Sequence, residues 1–172
     1  MVDANNTQPS VGWLREIKLF APISNAELEA LLKLGNVRAF EPYSNVVVEG
    51  EFSWGLFLIV EGTVGVYKKN PESDEVYDVG ELAAGSFFGE MSLVDEQPRS
   101  ATVRAKTKCK TFFISKEAFK QFLNESPDRK MRFYEACVKD LVARLRELDG
   151  SYVVSQYQLW HSAVEKMRKK AG

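Results

Sequence analysis

The stretch from residue 40 to residue 114 constrains the fold more than any other part of this chain. Runs rich in Val, Ile, Phe, Tyr and Thr occupy residues 40–50, 56–67, 75–82 and 101–114. Breakers stand within and between them: Pro42, Gly50, Gly62, Asn70-Pro71, Gly80, Gly85 and Pro98. β-branched and aromatic residues suit a pleated surface, and glycine and proline end each run before a helix could form. Many short strands joined by turns predict a jelly roll or a small barrel, which hides its sheet edges and leaves a pocket at one face.

On either side of this stretch the period is helical. Trp13, Leu14, Ile17 and Phe20 suit a short amphipathic helix near residues 12–19. Ser24 is an N-cap with Glu27 three residues on, a capping box, and Leu28, Leu31, Leu32 and Leu34 follow before Gly35 stops the helix. Ser115 opens a second short helix through Ala118, Phe119, Phe122 and Leu123, ending near Ser126-Pro127. Asp128 then begins a long one. Met131, Tyr134, Val138, Leu141, Leu145, Leu148 and Tyr152 step by three or four, and Leu159 extends the register into a heptad-like stripe. Asp149-Gly150 interrupts it with a kink, a bend or a full break. The expected organisation is a flexible arm over 1–11, one domain over 12–148 and a helical tail over 149–172. The fold class is α+β: a β jelly roll flanked by N-terminal helices and a long C-terminal helix.

Composition excludes several function classes. A net charge of −1 over 172 residues supplies no field to hold nucleic acid or an acidic membrane. Cys109 and Cys137 stand far apart, outside any zinc or redox spacing, and read as buried thiols. The first seven residues carry no signal-peptide pattern, and no apolar run is long enough to span a bilayer. These features predict a cytoplasmic protein. The chain has one histidine, His161, in the tail, so neither a cupin-type metal site nor a histidine-based catalytic pair can be placed near the roll. Walker and dinucleotide-binding motifs are absent. Glu90 with Asp95 or Glu96 makes a carboxylate pair, but the nearby arginine would keep it ionised rather than poised for acid–base work. The expectation is a non-enzyme with no metal or cofactor.

One block carries chemistry. Residues 88–103 read FGEMSLVDEQPRSATV. Gly89 lets backbone approach a ligand closely. Glu90 is a carboxylate able to accept hydrogen bonds from a sugar hydroxyl. Arg99, after Pro98, can grip a phosphate with two parallel hydrogen bonds, and the small Ser100 and Ala101 leave it room. The set suits one small anion with a hydroxyl beside it. Taken singly, Arg99 is an ordinary solvated arginine, Glu90 a carboxylate complementing a helix dipole and Gly89 a turn residue.

The ordered block resembles the phosphate-binding cassette of the cyclic nucleotide-binding domain family, F-G-E-x-x-L followed by P-R-x-A-T-V. That family includes the catabolite activator protein, the regulatory subunits of cAMP-dependent protein kinase and the cyclic-nucleotide-gated channels. Gly50-Glu51, Phe57-Leu58-Ile59-Val60 and Glu61-Gly62-Thr63-Val64 resemble its second to fourth strands, and the likeness covers roughly 13–148. The family often has an acidic residue where Ser53-Trp54-Gly55 stands here; the departure falls in a turn.

The resemblance implies a cyclic nucleotide ligand. Arg99 would hold the cyclic phosphate, with Gly89 making room and Ala101 offering a backbone N–H. Glu90 would take the ribose 2′-hydroxyl. Met91 and Ser92 complete the cassette, where Ser92 and Leu93 pack or cap its short helix. Ser100 can donate to the phosphate or reach a syn guanine; alanine or serine at this place goes with cAMP and threonine with cGMP, so cAMP is preferred. Val79 and Leu82 line the base side of the pocket or pack the core. Phe133, Tyr134, Val138 and Leu141 are candidates to cover the base. The 24 residues after Leu148 do not fit a DNA-reading winged helix, so no DNA partner is expected, and the basic end Lys166-Met167-Arg168-Lys169-Lys170 reads as a helix-dipole complement. The expectation is a cAMP sensor without an attached output, homodimeric through its long helix and acting on an unknown effector. A cGMP or cyclic dinucleotide sensor is the nearest variant. The other class is a nucleotide-independent adaptor that associates through Trp160 and the tail.

Overall fold

In the computed structural model, residues 9–52, 55–95 and 97–171 are described. Helix α1 (Val11–Glu16), a 3-10 turn (Lys18–Phe20) and α2 (Asn25–Leu34) precede the strands. The strands are β1 (Gly35–Phe40), β2 (Asn45–Val47), β3 (Gly55–Glu61), β4 (Thr63–Lys69), β5 (Val76–Ala83), β6 (Phe87–Phe88), β7 (Thr102–Ala105) and β8 (Cys109–Ser115). A one-turn helix, α3 (Met91–Val94), lies between β6 and β7; α4 (Lys116–Asn124) and α5 (Pro127–Ala171) end the chain. Two antiparallel four-stranded sheets, ordered β1-β8-β3-β6 and β2-β7-β4-β5, make the jelly roll.

The sequence explains the layering. β3 is apolar at every position from Leu56 to Val60 because it is buried on both faces. Leu56, Leu58 and Val60 face the helices with Phe87, Phe112 and Ile114, against Leu14, Phe20, Leu31, Phe119 and Phe133. Phe57 and Ile59 face inward with Phe88, Cys109 and Phe113, against Val47, Val64, Val103 and Ala105 of the second sheet. This is the period of two of a strand read on both sides.

The local signals hold where they are local. Ser24 Oγ accepts from Glu27 N while the Glu27 carboxylate accepts from Ser24 N at 2.8 Å, the expected capping box. Ser115 Oγ caps α4 through Ala118 N. Other expectations change. The run 40–50 is broken at Tyr43, which sits at φ 67, and a strand begins as early as Gly35, paired along β8. A full break at Asp149-Gly150 is not formed: α5 runs on through it for 45 residues in all. Gly150 is exposed with open space around it, so its cost of about 1 kcal/mol is met by the turns on either side. Of the expected arm, residues 1–8 lie outside the described residues, whereas Ser10 caps α1 and Val11 packs on the core.

Candidate functional site

The turn after β6 builds one wall of a cavity of about 180 Å³. Gly89 takes φ 92, and a Cβ there would collide with the Arg99 guanidinium and the Gly55 carbonyl. Only glycine fits that backbone and that approach. Glu90 and Ser92 are buried at the start of α3, where Ser92 Oγ donates to the Gly89 carbonyl at 2.9 Å. The other wall is the segment entering β7. Arg99 N donates to Glu51 O (2.7 Å), Gly50 N to Arg99 O (2.9 Å) and Lys68 Nζ to Ser100 O (2.6 Å). Lys68 also pairs with Glu49 at 2.9 Å. These bonds pin the segment from behind.

Of the expected ligand residues, Gly89, Glu90, Met91, Ser92, Arg99, Ser100, Ala101 and Leu82 all line this cavity. Val79 does not. The pairing of β4 with β5 steps from Val66↔Gly80 to Tyr67↔Asp78, so Val79 is the extra residue of a bulge. Its side chain turns onto an adjoining groove of about 660 Å³ and is exposed. None of the four candidates for covering the base reaches the cavity lining either. Phe133 is core and Tyr134 packs beside it, while Val138 and Leu141 face away. The residue of α5 that closes the cavity is Arg144, which sequence reasoning missed. Its Nη1 meets Glu90 Oε1 at 3.1 Å, its Nε meets Asp140 Oδ2 at 2.8 Å, and its guanidinium lies 5.2 Å from the Phe87 ring centre. The only sequence signal for it is an ordinary i,i+4 ion pair with Asp140, which many solvated helix faces share. Val47, Val66 and Val103 complete an apolar wall, and Asp95 and Gln97 stand in the lining with Pro98. Glu96, Ser53 and Trp54 lie outside the described residues.

The electrostatics of the two charged candidate residues, Glu90 and Arg99, are opposed. Burial raises the Glu90 carboxyl above its ordinary value, and the Arg144 cation pulls it back. Burial lowers the Arg99 guanidinium, and Glu90 partly restores it. Arg99 lies 5.5 Å from the centre of Phe57, which stacks on Phe88 at 5.0 Å. The arrangement can hold an anion beside a hydroxyl donor: a guanidinium and small residues on one wall, a carboxylate on the other. Burial, with Glu90 and Asp140 nearby, pushes the Cys137 thiol up to about 12, so it offers no nucleophile there.

Roll and cavity together define a ligand-binding β-roll. The model of the cyclic nucleotide-binding domain matches residues 37–126, and the chain belongs to that family. It is 37% identical over 112 residues to the cAMP-activated global transcriptional regulator CRP of Salmonella typhimurium, across 64% of this chain and 53% of that protein. It is 33% identical over 112 residues to the cAMP-dependent protein kinase regulatory subunit of Yarrowia lipolytica, across 65% of this chain and 29% of that protein. The chain thus spans about half of the first relative and less than a third of the second. Among solved structures it resembles a cyclic nucleotide-binding domain from Methylobacillus flagellatus, with TM-score 0.69, 27% identity and 80% of each chain covered. Among the described residues no helix is long and apolar enough to cross a membrane, and no cluster of His, Cys, Asp and Glu could hold a metal ion.

Proposed function

We propose that this domain is a sensor for a cyclic nucleotide, cAMP foremost, that signals through α5. The observation that carries the reading is the convergence of Gly89, Glu90, Arg99, Ser100 and Ala101 on one cavity that Arg144 of α5 closes. Arg99 and the Ala101 amide take the cyclic phosphate, and Glu90 accepts from the ribose 2′-hydroxyl. The base lies along Val47, Val66, Leu82 and Val103. Ser100 favours cAMP. Because the base wall is apolar, cGMP is the nearest alternative.

The signal follows from Glu90 serving two partners. Arg144 of α5 holds it, and a bound ribose competes for the same oxygens. The ligand thereby changes the balance between positions of α5, by as much as its affinities for those positions differ. The exposed stripe Met131, Val138, Leu141, Leu145, Leu148 and Tyr152 supports a homodimer through α5 as the receiver of that change.

Calorimetric titration with cAMP, cGMP and a cyclic dinucleotide tests the reading. Heat is expected with cAMP at the lowest concentration, and Arg99→Ala should weaken binding by about 100-fold or more, since a charge-assisted grip is lost and a phosphate is left unpaired. No heat and no thermal shift with any of the three would remove the sensor function. A nucleotide-independent adaptor would then be the better account of the exposed stripe.

A further inference from the structure

We propose that Lys68 is a positioning residue for the ligand's phosphate, acting through the peptide that joins Ser100 to Ala101. The proposal rests on the reading of the Ala101 amide as a donor to that phosphate.

β7 begins only at Thr102, so the sheet ladder does not hold this peptide. Lys68, near the end of β4, does: its Nζ donates to the Ser100 carbonyl at 2.6 Å. Ser100 and Ala101 line the cavity, whereas Lys68 is not among the residues that line it. In a trans peptide the C=O and the N–H point in opposite directions. A carbonyl turned onto Lys68 therefore turns the Ala101 N–H to the side of the segment away from Lys68. Flipped, the same peptide would set its carbonyl oxygen against the phosphate. The ammonium also polarises the peptide, which makes the Ala101 N–H a stronger donor.

Lys68 is in turn held in place. Glu49 Oε1 accepts from its Nζ at 2.9 Å, Glu49 Oε2 accepts from Lys69 N at 2.9 Å, and Glu49 N donates to Thr102 Oγ1 at 3.0 Å. The Lys69 N–H, and after it the Lys68 side chain, hold the Glu49 carboxyl below its ordinary value, so the pair keeps its charges. One acid thus ties β4 to the residue that follows Ala101 and fixes the ammonium between them. The Lys68 side chain is 52% exposed, and a Lys–Glu pair so open to water adds little to stability. Its effect is therefore expected in binding rather than in folding.

Calorimetric titration of wild type and Lys68→Met with cAMP and with its two phosphorothioate diastereomers is the test. Each diastereomer replaces one exocyclic phosphate oxygen by sulfur, a weaker hydrogen-bond acceptor. Lys68→Met should weaken cAMP by about three- to tenfold, the range of one hydrogen bond, with the melting temperature little changed. The same loss is expected with one diastereomer and a smaller loss with the other, whose sulfur faces the Ala101 amide and gains little from a stronger donor. Lys68→Arg, which keeps a cation able to reach the carbonyl, should restore most of the affinity. If Lys68→Met does not fold, Glu49→Gln, which loosens Lys68 but leaves it in the chain, should show the same inequality. Equal losses with both diastereomers would overturn the proposal, because a displaced segment or a lost charge weakens both alike. An unaltered cAMP constant in Lys68→Met, with wild type binding, would overturn this proposal alone. No heat from wild type with cAMP would bring down the nucleotide reading, and this proposal with it.

Discussion

At the scale of single residues, Glu90 is where stability and binding pull in opposite directions. Burial raises its carboxyl above the ordinary value, so the folded chain keeps the proton to a higher pH than the unfolded chain. Unfolding then releases a proton between the two values. Stability of the vacant protein falls as pH rises from the unfolded value through the folded one, and is level beyond it. Ribose binding has the opposite sign, because the hydroxyl donates to the ionised carboxylate: affinity for cAMP rises with pH through the same window. Arg144 opposes the burial, so Arg144→Ala should move the midpoint of the affinity curve to higher pH. Titrations from the ordinary carboxylate range upward read that midpoint directly, and an unmoved one would show that Arg144 does not set the charge of Glu90. Gly89→Ala tests the opposite wall. Its φ of 92 and the Arg99 and Gly55 atoms in the path of a Cβ predict a loss of about 1–3 kcal/mol in denaturant unfolding, together with loss of binding. The cassette residues were legible because their chemistry is local and ordered. Arg144 was not, because it meets Glu90 across 54 residues and only the fold brings the two together.

At the scale of elements, what could be read in sequence is what the backbone settles with its neighbours. The cap expected at Ser24 formed with a partner three residues away, and the structure adds one of the same span at Ser115, where the sequence had shown only the start of a helix. The bulge at Val79 and the split at Tyr43 depend on strand pairing, which periodicity does not encode. One cap has a wider role. Glu27 binds Ser24 and also accepts from Arg132 Nη2 at 3.1 Å, with Arg129 Nε at 3.6 Å, joining α2 to the first turns of α5. Arg129 is buried, and its remaining acid is Glu125 at 3.5 Å. Ser24→Ala should therefore cost about 1 kcal/mol, the usual value of a cap. Glu27→Ala should cost about 2–4 kcal/mol, because it also leaves the buried Arg129 guanidinium with Glu125 alone and takes the acid of α2 from Arg132. Chemical denaturation of the two variants decides between them. Equal losses would mean that Glu27 acts only as a cap and does not tie the N-terminal helices to α5.

For the whole molecule, the question is what the long helix is for. α5 runs 45 residues, and from Leu145 to His161 every residue whose burial is described is exposed. Its apolar residues at Met131, Val138, Leu145 and Tyr152 recur every seven, with Leu141 and Leu148 between them, and all are exposed. A single chain leaves that stripe in water, and burying it against a second copy would gain roughly 25 cal/mol for each Å² covered. The cavity-closing Arg144 is next to Leu145, so the residue that reads Glu90 and the residue that would meet a partner are neighbours on one rigid element. A two-fold pairing along the stripe would bring both cavities under the same pair of helices. Light scattering should give twice the 19.5 kDa chain mass for wild type and the single-chain mass for Leu145→Glu, since a like-charged pair at the seam disfavours the dimer. Leu145→Glu should still bind cAMP, because Leu145 does not line the cavity. Wild type that stays at single-chain mass at tens of micromolar, with and without cAMP, would leave the stripe for a different partner and take the dimer out of the signalling scheme.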